Sequence, residues 1–144
     1  MRFPRVLKRY RHNLDAAIIL GGSNDIFKDD CVKDLPLGET IAELHNMAHR
    51  EGIKTVAMTI PERDDLSTKG EKERIAANKF ITRYAKQHRN MTIFLDLAHE
   101  LPMSSLSGFI REVYWDDAVH PTKEGYRKMA ELVFESVAKL YDDM

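Results

Sequence analysis

The sequence predicts an α/β domain built on a parallel sheet, and three observations point there. The run Ala16-Ala17-Ile18-Ile19-Leu20 is apolar at every position; a strand covered by helices on both faces reads this way, whereas a half-exposed strand alternates. Three apolar, β-type runs then alternate with stretches of helical period, the order that builds a parallel sheet through right-handed crossovers. Finally, the first run ends in Gly21-Gly22-Ser23-Asn24-Asp25. The two glycines let the backbone turn sharply and set three small polar residues at the carboxyl edge of the sheet, where open parallel sheets bind ligands.

Length and charge bound the rest. A chain of 144 residues implies a single domain over 1–144, with a real core but short for a doubly wound enzyme. Its 22 basic and 23 acidic side chains leave a net charge of −1, which argues against a general attraction to nucleic acid or to an anionic membrane. No apolar segment approaches the ~20 residues of a membrane span. Cys31 stands alone, so no intramolecular disulfide is available and the cytoplasm is the expected compartment.

The elements follow in order. Arg2, Arg5, Lys8, Arg9 and Arg11 surround Val6, Leu7 and Tyr10 at helical spacing; the pattern predicts a helix with its apolar stripe on the sheet and its basic face in water, with a targeting presequence or a nucleic-acid arm as the minor alternative. After the first strand, Pro36 and Gly38 mark a turn, and Leu37, Ile41, Leu44 and Ala48 form the apolar stripe of a helix that Gly52 ends as a left-handed cap. Residues 55–60 make the second strand, stopped by Pro61, and a polar loop runs to Gly70. A helix over about 71–88 buries Ala77, Ile81, Tyr84 and Ala85, and residues 91–97 form the third strand. The segment 98–120 reads as irregular and too long for an ordinary connection, hence functional. Thr122 caps the last helix, whose expected buried stripe is Tyr126, Met129, Val133, Val137 and Leu140.

Within that irregular segment, Asp117-Ala118-Val119-His120 puts a carboxylate and an imidazole three residues apart just before a helix. A carboxylate that accepts the Nδ1 proton fixes the tautomer and leaves Nε2 free to take a proton from a nucleophile. Taken alone, this tetrapeptide reads more readily as a solvated surface turn. His45 and His49 stand four apart, the spacing of a zinc pair, but Asn46 occupies the place of a metalloprotease glutamate; a solvated helix face is the expectation. Trp115 reads as a packing residue near the site, with a substrate wall as the alternative.

The joint occurrence of Gly22-Ser23-Asn24-Asp25 after the first strand and Asp117-Ala118-Val119-His120 before the last helix resembles the GDSL, or SGNH, hydrolases, whose third block is Gly-x-Asn-Asp and whose fifth is Asp-x-x-His. The resemblance extends from about Phe3 to Leu140 and takes in Thr59-Ile60-Pro61-Glu62, the helix containing Asn78, and Gly125-Tyr126. It implies a three-layer α/β/α, flavodoxin-like fold and hydrolysis of carboxylic esters of small molecules without metal or organic cofactor. It further implies that Asn24 donates to the oxyanion, that Gly22 and Asp25 shape and hold that loop, that His120 is the general base and that Asp117 orients it.

The chain also departs from the family pattern. Members carry the nucleophile in a Gly-Asp-Ser block after their first strand, and this sequence has no serine before Ser23 and no glycine before Gly21. In the family's sheet order 2-1-3-4-5 only strands 3, 4 and 5 are then represented, and Ala16 to Leu20, central in the whole fold, becomes an edge open to self-association. Ser104, Ser105 and Ser107 are the remote alternatives for a nucleophile, while Ser23 is expected to point away from Asn24. Two functions follow: an esterase whose serine lies upstream of residue 1, or an inactive module that works by binding or by strand complementation. A flavodoxin-like binder of small molecules or phosphate ranks last, because it leaves the Asp117 and His120 pair unexplained.

Overall fold

In a computed structural model that describes residues 2–26 and 36–142, the strands β1 (Ala16–Ile19), β2 (Lys54–Met58) and β3 (Thr92–Leu95) form one parallel sheet in the order β1-β2-β3. Ala17 pairs with Thr55 and Val56 with Ile93. Six α-helices accompany them: α1 (Phe3–Tyr10), α2 (Leu37–Arg50), α3 (Thr68–Gln87), α4 (Leu97–Glu100), α5 (Gly108–Tyr114) and α6 (Lys123–Asp142). Cys31 and most of the turn before α2 lie outside the described residues.

The side-chain alternation of β2 sorts the core into two layers. Ala57 joins Ala17, Ile19, Ile41 and Ile81 on the face covered by α2 and α3, with Leu7 of α1 at its margin. Val56 and Met58 join Leu95, Trp115 and Leu132 on the face covered by α6. Because both faces are packed, Thr55 through Met58 are all buried, which explains why this strand is apolar almost throughout.

The first strand departs from its expected burial. It pairs with β2 alone among the described residues, and α6 packs over β2 and β3. Ala17 and Ile19 are buried against α2, whereas Ile18 remains 51% exposed and Leu20 43%. The cause is positional: an apolar run built for a covered strand sits at the border of the sheet, where nothing described covers its second face. The expected edge at Ala16 to Leu20 is therefore present.

Two other elements differ from expectation. The segment 98–120 is not irregular throughout, since it contains part of α4 and all of α5; helices of four and seven residues are too short for a hydrophobic period to announce them. In α6 the buried stripe runs through Leu132 and Ser136, with Met129, Val133 and Val137 partly buried, and Tyr126 is 53% exposed. Elsewhere the local signals hold. Gly52 (φ +74°) closes α2 with its N–H to His49 O and the Ile53 N–H to Ala48 O, the paired bonds of a left-handed helix stop. Thr122 Oγ1 accepts the Gly125 N–H and caps α6.

Candidate active site

A cavity of about 380 Å³ opens at the carboxyl edge of the sheet, lined by the loop after β1, by Pro61 and Glu62 after β2, by Trp115 and the turn through His120, and by Tyr126 and Met129 of α6. Glycine shapes the first of these loops. Gly22 has φ +98°, and a Cβ there would lie 2.9 Å from Ile60 Cδ1 and 3.1 Å from Leu37 Cδ2. Both the backbone conformation and the close approach require glycine. Its carbonyl then accepts the N–H groups of Asp25 and Ile26 at 3.0 and 3.2 Å, while Ile26 is buried. Asn24 is thus carried on a turn pinned at both ends, and it is exposed and lines the cavity.

Ser23, expected to point away from Asn24, lies on that same tight turn. Alternation holds for an extended chain, but residues 23–26 turn, so Ser23 and Asn24 line the same cavity.

Across the cavity, Asp117 Oδ2 lies 2.9 Å from His120 Nδ1, and Asp117 Oδ1 accepts the N–H groups of Val119 at 2.6 Å and His120 at 2.7 Å. The carboxylate closes the turn on itself and holds the ring at one nitrogen. Hydrogen bonding from the His120 ring, followed by the two backbone N–H groups, draws the Asp117 carboxyl down to about 2, so it is ionised at every ordinary pH. The base of this turn is tied back by the Asp116 N–H to His120 O at 2.9 Å and by a backbone bridge between Trp115 and Pro121. Trp115 is buried, donates through Nε1 to Pro102 O at 2.9 Å, and still lends a wall to the cavity.

Glu62, which the sequence placed in the family resemblance without a site role, lines the cavity but is committed to structure. It accepts the N–H groups of Met103 and Ser104 at 2.6 and 2.7 Å and the Ser104 hydroxyl at 3.0 Å. Burial pushes its carboxyl up, and these donors together with Arg74 outweigh that and hold it below the ordinary value. The same contact occupies Ser104, and none of Ser104, Ser105 and Ser107 lines the cavity. Among the described residues, no three histidine, cysteine, aspartate or glutamate side chains are placed to hold a metal ion, and no helix is long and apolar enough to cross a membrane.

The model of the GDSL-like lipase/acylhydrolase family matches residues 1–128. The chain belongs to this family. No curated protein matches it, so the comparison rests on solved structures. A GDSL-like lipase from Bacteroides thetaiotaomicron superposes with a TM-score of 0.68 at 22% identity, over 96% of this chain and 71% of the other. A protein described as an acylhydrolase from Bacteroides fragilis gives 0.69 at 20% identity, over 96% and 70%. At such identities the likeness speaks for the fold, and the GDSL-like fold is the one seen here.

In this GDSL-like chain Gly22, Asn24, Asp25 and His120 share one cavity, with Asp117 directly behind His120. Arg63 and Tyr126 were not singled out for the site by the sequence. Arg63 sits in a polar loop that reads as solvent-facing, and Tyr126 falls on an apolar period that reads as core.

The His45 and His49 pair is a correction. His45 is 1% exposed and its Nδ1 lies 2.9 Å from Thr55 Oγ1. His49 Nε2 lies 3.1 Å from that same hydroxyl, Tyr84 stacks beside it, and the His88 ring lies tilted at 6.0 Å. These rings are packed between α2, α3 and the beginnings of β2 and β3, not on a solvated face. Polar residues on a predicted outer face go inward when hydroxyls of a neighbouring strand can satisfy them.

Proposed function

We propose that this chain is the acceptor half of a carboxylic-ester hydrolase, with His120 as general base, Asp117 as its orienting group and Asn24 as oxyanion donor. The observation that supports it is the convergence of Asn24 and the Asp117-braced His120 on one cavity. With Nδ1 donating to Asp117, Nε2 is left as the proton acceptor. A serine outside these 144 residues attacks the ester carbonyl while Nε2 takes its proton. The carbonyl oxygen becomes an oxyanion that accepts from the Asn24 amide, and collapse expels the alcohol, protonated by the imidazolium, to leave an acyl-serine. Water, deprotonated by the same nitrogen, then releases the acid and restores the serine. A fixed neutral donor acts on charge that develops only in the transition state and is worth roughly 3 kcal/mol. Gly22 and Asp25 hold the donor loop, and the reaction needs no cofactor.

A small-molecule ester is the substrate class that suits a cavity of this size, walled by Leu20, Pro61, Val119 and Met129. We place the reaction in the cytoplasm and in one domain spanning 1–144, with no role for nucleic acid. A second reading is favoured by the open border of β1: a module that pairs through Ala16 to Leu20 with another copy, or with a chain that supplies the missing strand, and that by itself is inactive.

The test is hydrolysis of 4-nitrophenyl acetate by the full chain. Without the attacking serine, the residual route is attack of water deprotonated by His120 Nε2 on an ester held at Asn24, and a positioned general base is worth roughly 10²-fold. His120→Ala, Asp117→Asn and Asn24→Ala should each bring this residual rate to background. Rates for all three equal to that of the unaltered chain overturn the assignment.

A further inference from the structure

We propose that Arg63 is a positioning residue of this site, and that Arg63 and Asp64 together set the distance between the Asn24 amide and the His120 imidazole. The proposal rests on the hydrolase reading above for its consequence, though not for its geometry.

The loop after β2 touches both halves of the site. Arg63 Nη1 donates to Ser23 O at 2.6 Å and lies 3.3 Å from Ser23 Oγ. Its other edge is gripped by Asp65, with Nε to Oδ1 at 2.8 Å and Nη2 to Oδ2 at 2.7 Å. Although it sits in a polar loop, the Arg63 side chain is only 7% exposed. The next residue faces the other way: the Asp64 N–H donates to Ala118 O at 3.0 Å, and the Asp64 carboxylate pairs with Arg111 of α5. Two consecutive residues therefore hold the carbonyl one residue before Asn24 and the carbonyl two residues before His120.

The peptide bond makes this more than a contact. Ser23 O and the Asn24 N–H belong to one planar trans unit, so a carbonyl fixed on Arg63 fixes the plane from which the Asn24 side chain departs. Since Asp65 holds the guanidinium in two parallel bonds, the fork cannot swing as Ser23 pulls on it. A misplacement of about 1 Å at a reacting group is enough to cost ~10²-fold in rate, so a brace of this kind belongs to the catalytic geometry even though it touches no substrate. The requirement is for a guanidinium. A lysine is a single charged point that cannot grip a carboxylate bidentately and a carbonyl at the same time.

The experiment uses the full chain with Arg63→Ala, Arg63→Lys and Asp65→Asn. Amide exchange and the Asn24 side-chain resonances are followed by NMR, and residual hydrolysis of 4-nitrophenyl acetate is split into kcat and KM. We expect Arg63→Ala to shift the Asn24 amide resonances, to speed exchange at the Asp64 N–H, and to lower kcat about tenfold at unchanged KM. Arg63→Lys should behave like Arg63→Ala, and Asp65→Asn, the milder change should Arg63→Ala not fold, should lie between. Full recovery of kcat in Arg63→Lys overturns the proposal, because charge alone would then suffice; so do unchanged Asn24 and Asp64 signals in Arg63→Ala. If hydrolysis by the unaltered chain proves independent of His120, the hydrolase reading fails and the NMR arm still decides whether Arg63 positions the two loops.

Discussion

Asp117 meets His120 with every acceptor it has: Oδ2 lies 2.9 Å from the ring Nδ1, and Oδ1 takes the N–H groups of Val119 and of His120 itself. An asparagine offers one acceptor oxygen where the turn uses two. If that oxygen keeps the backbone pair, the new NH₂ faces Nδ1 and forces the proton onto Nε2, the tautomer that cannot act as base. Asp117→Asn is accordingly expected to keep the fold and to lower residual ester hydrolysis to the level of His120→Ala. Parallel rate measurements with a far-ultraviolet spectrum check both statements.

Burial of His45 predicts a pH dependence of stability that has nothing to do with the site. Desolvation, and then the charges that His49 and His88 would carry, push its imidazole down to about 4, and burial lowers His49 as well. Its Nε2 has no hydrogen-bond partner among the described residues, so a proton placed there would be buried unpaired; the Arg50–Glu43 ion pair of α2 is exposed. In the unfolded chain the ring titrates near 6.5. Between about 6.5 and 4 the unfolded state binds a proton that the folded state refuses, so stability is complete above about 6.5 and falls as pH drops toward 4. The loss from His45 is about 3 kcal/mol. Urea denaturation at pH 7.5 and 4.5 should show it, and His45→Asn should flatten the slope; a midpoint independent of pH contradicts it.

Gly125 cannot accept a side chain. A Cβ there would lie 2.2 Å from Tyr114 O and 2.7 Å from Pro121 Cβ, because the first turn of α6 is drawn against the end of α5 by the Thr122 N–H to Tyr114 O. Gly125→Ala is expected to cost about 3 kcal/mol by forcing these elements apart, and to disturb the His120 turn that lies between them. Urea unfolding compared with Gly108→Ala, where a Cβ meets nothing within 4 Å, isolates the effect of the clash.

The border of β1, unpaired among the described residues, predicts association. Ile18 and Leu20 are 51% and 43% exposed, and burying the rest of each is worth about 1 kcal/mol in addition to the backbone pairs of a new strand. We expect the unaltered chain to gain mass with concentration in light scattering, and Ile18→Lys to stay monomeric because a charge on an edge strand blocks pairing. A monomeric mass for the unaltered chain throughout a hundredfold range of concentration rules the interface out.

What could be read from the chain directly were features with a local cause. The apolar run of β2, the left-handed stop at Gly52 and the Thr122 cap each follow from side-chain chemistry within a few residues, and so do the bonds of the Asp117 carboxylate, which all fall within three positions. Asn24 and His120 were linked by their resemblance to a family pattern, not by anything either residue shows alone.

Tertiary structure decided the rest, since each remaining feature depends on partners distant in sequence. The same helical period that marks Tyr126 as core leaves it 53% exposed at the cavity, because α6 packs on β2 and β3 through Leu132 and its neighbours further along. His45 and His49 turned inward because Thr55, on the next strand, holds a hydroxyl out to both. Arg63 became a brace only when the fold set Ser23, 40 positions earlier in the chain, within reach of its guanidinium. Periodicity and capping report what a segment does to itself and to a generic apolar face; which polar groups meet, and which strand is left at the border, depends on how the layers are stacked.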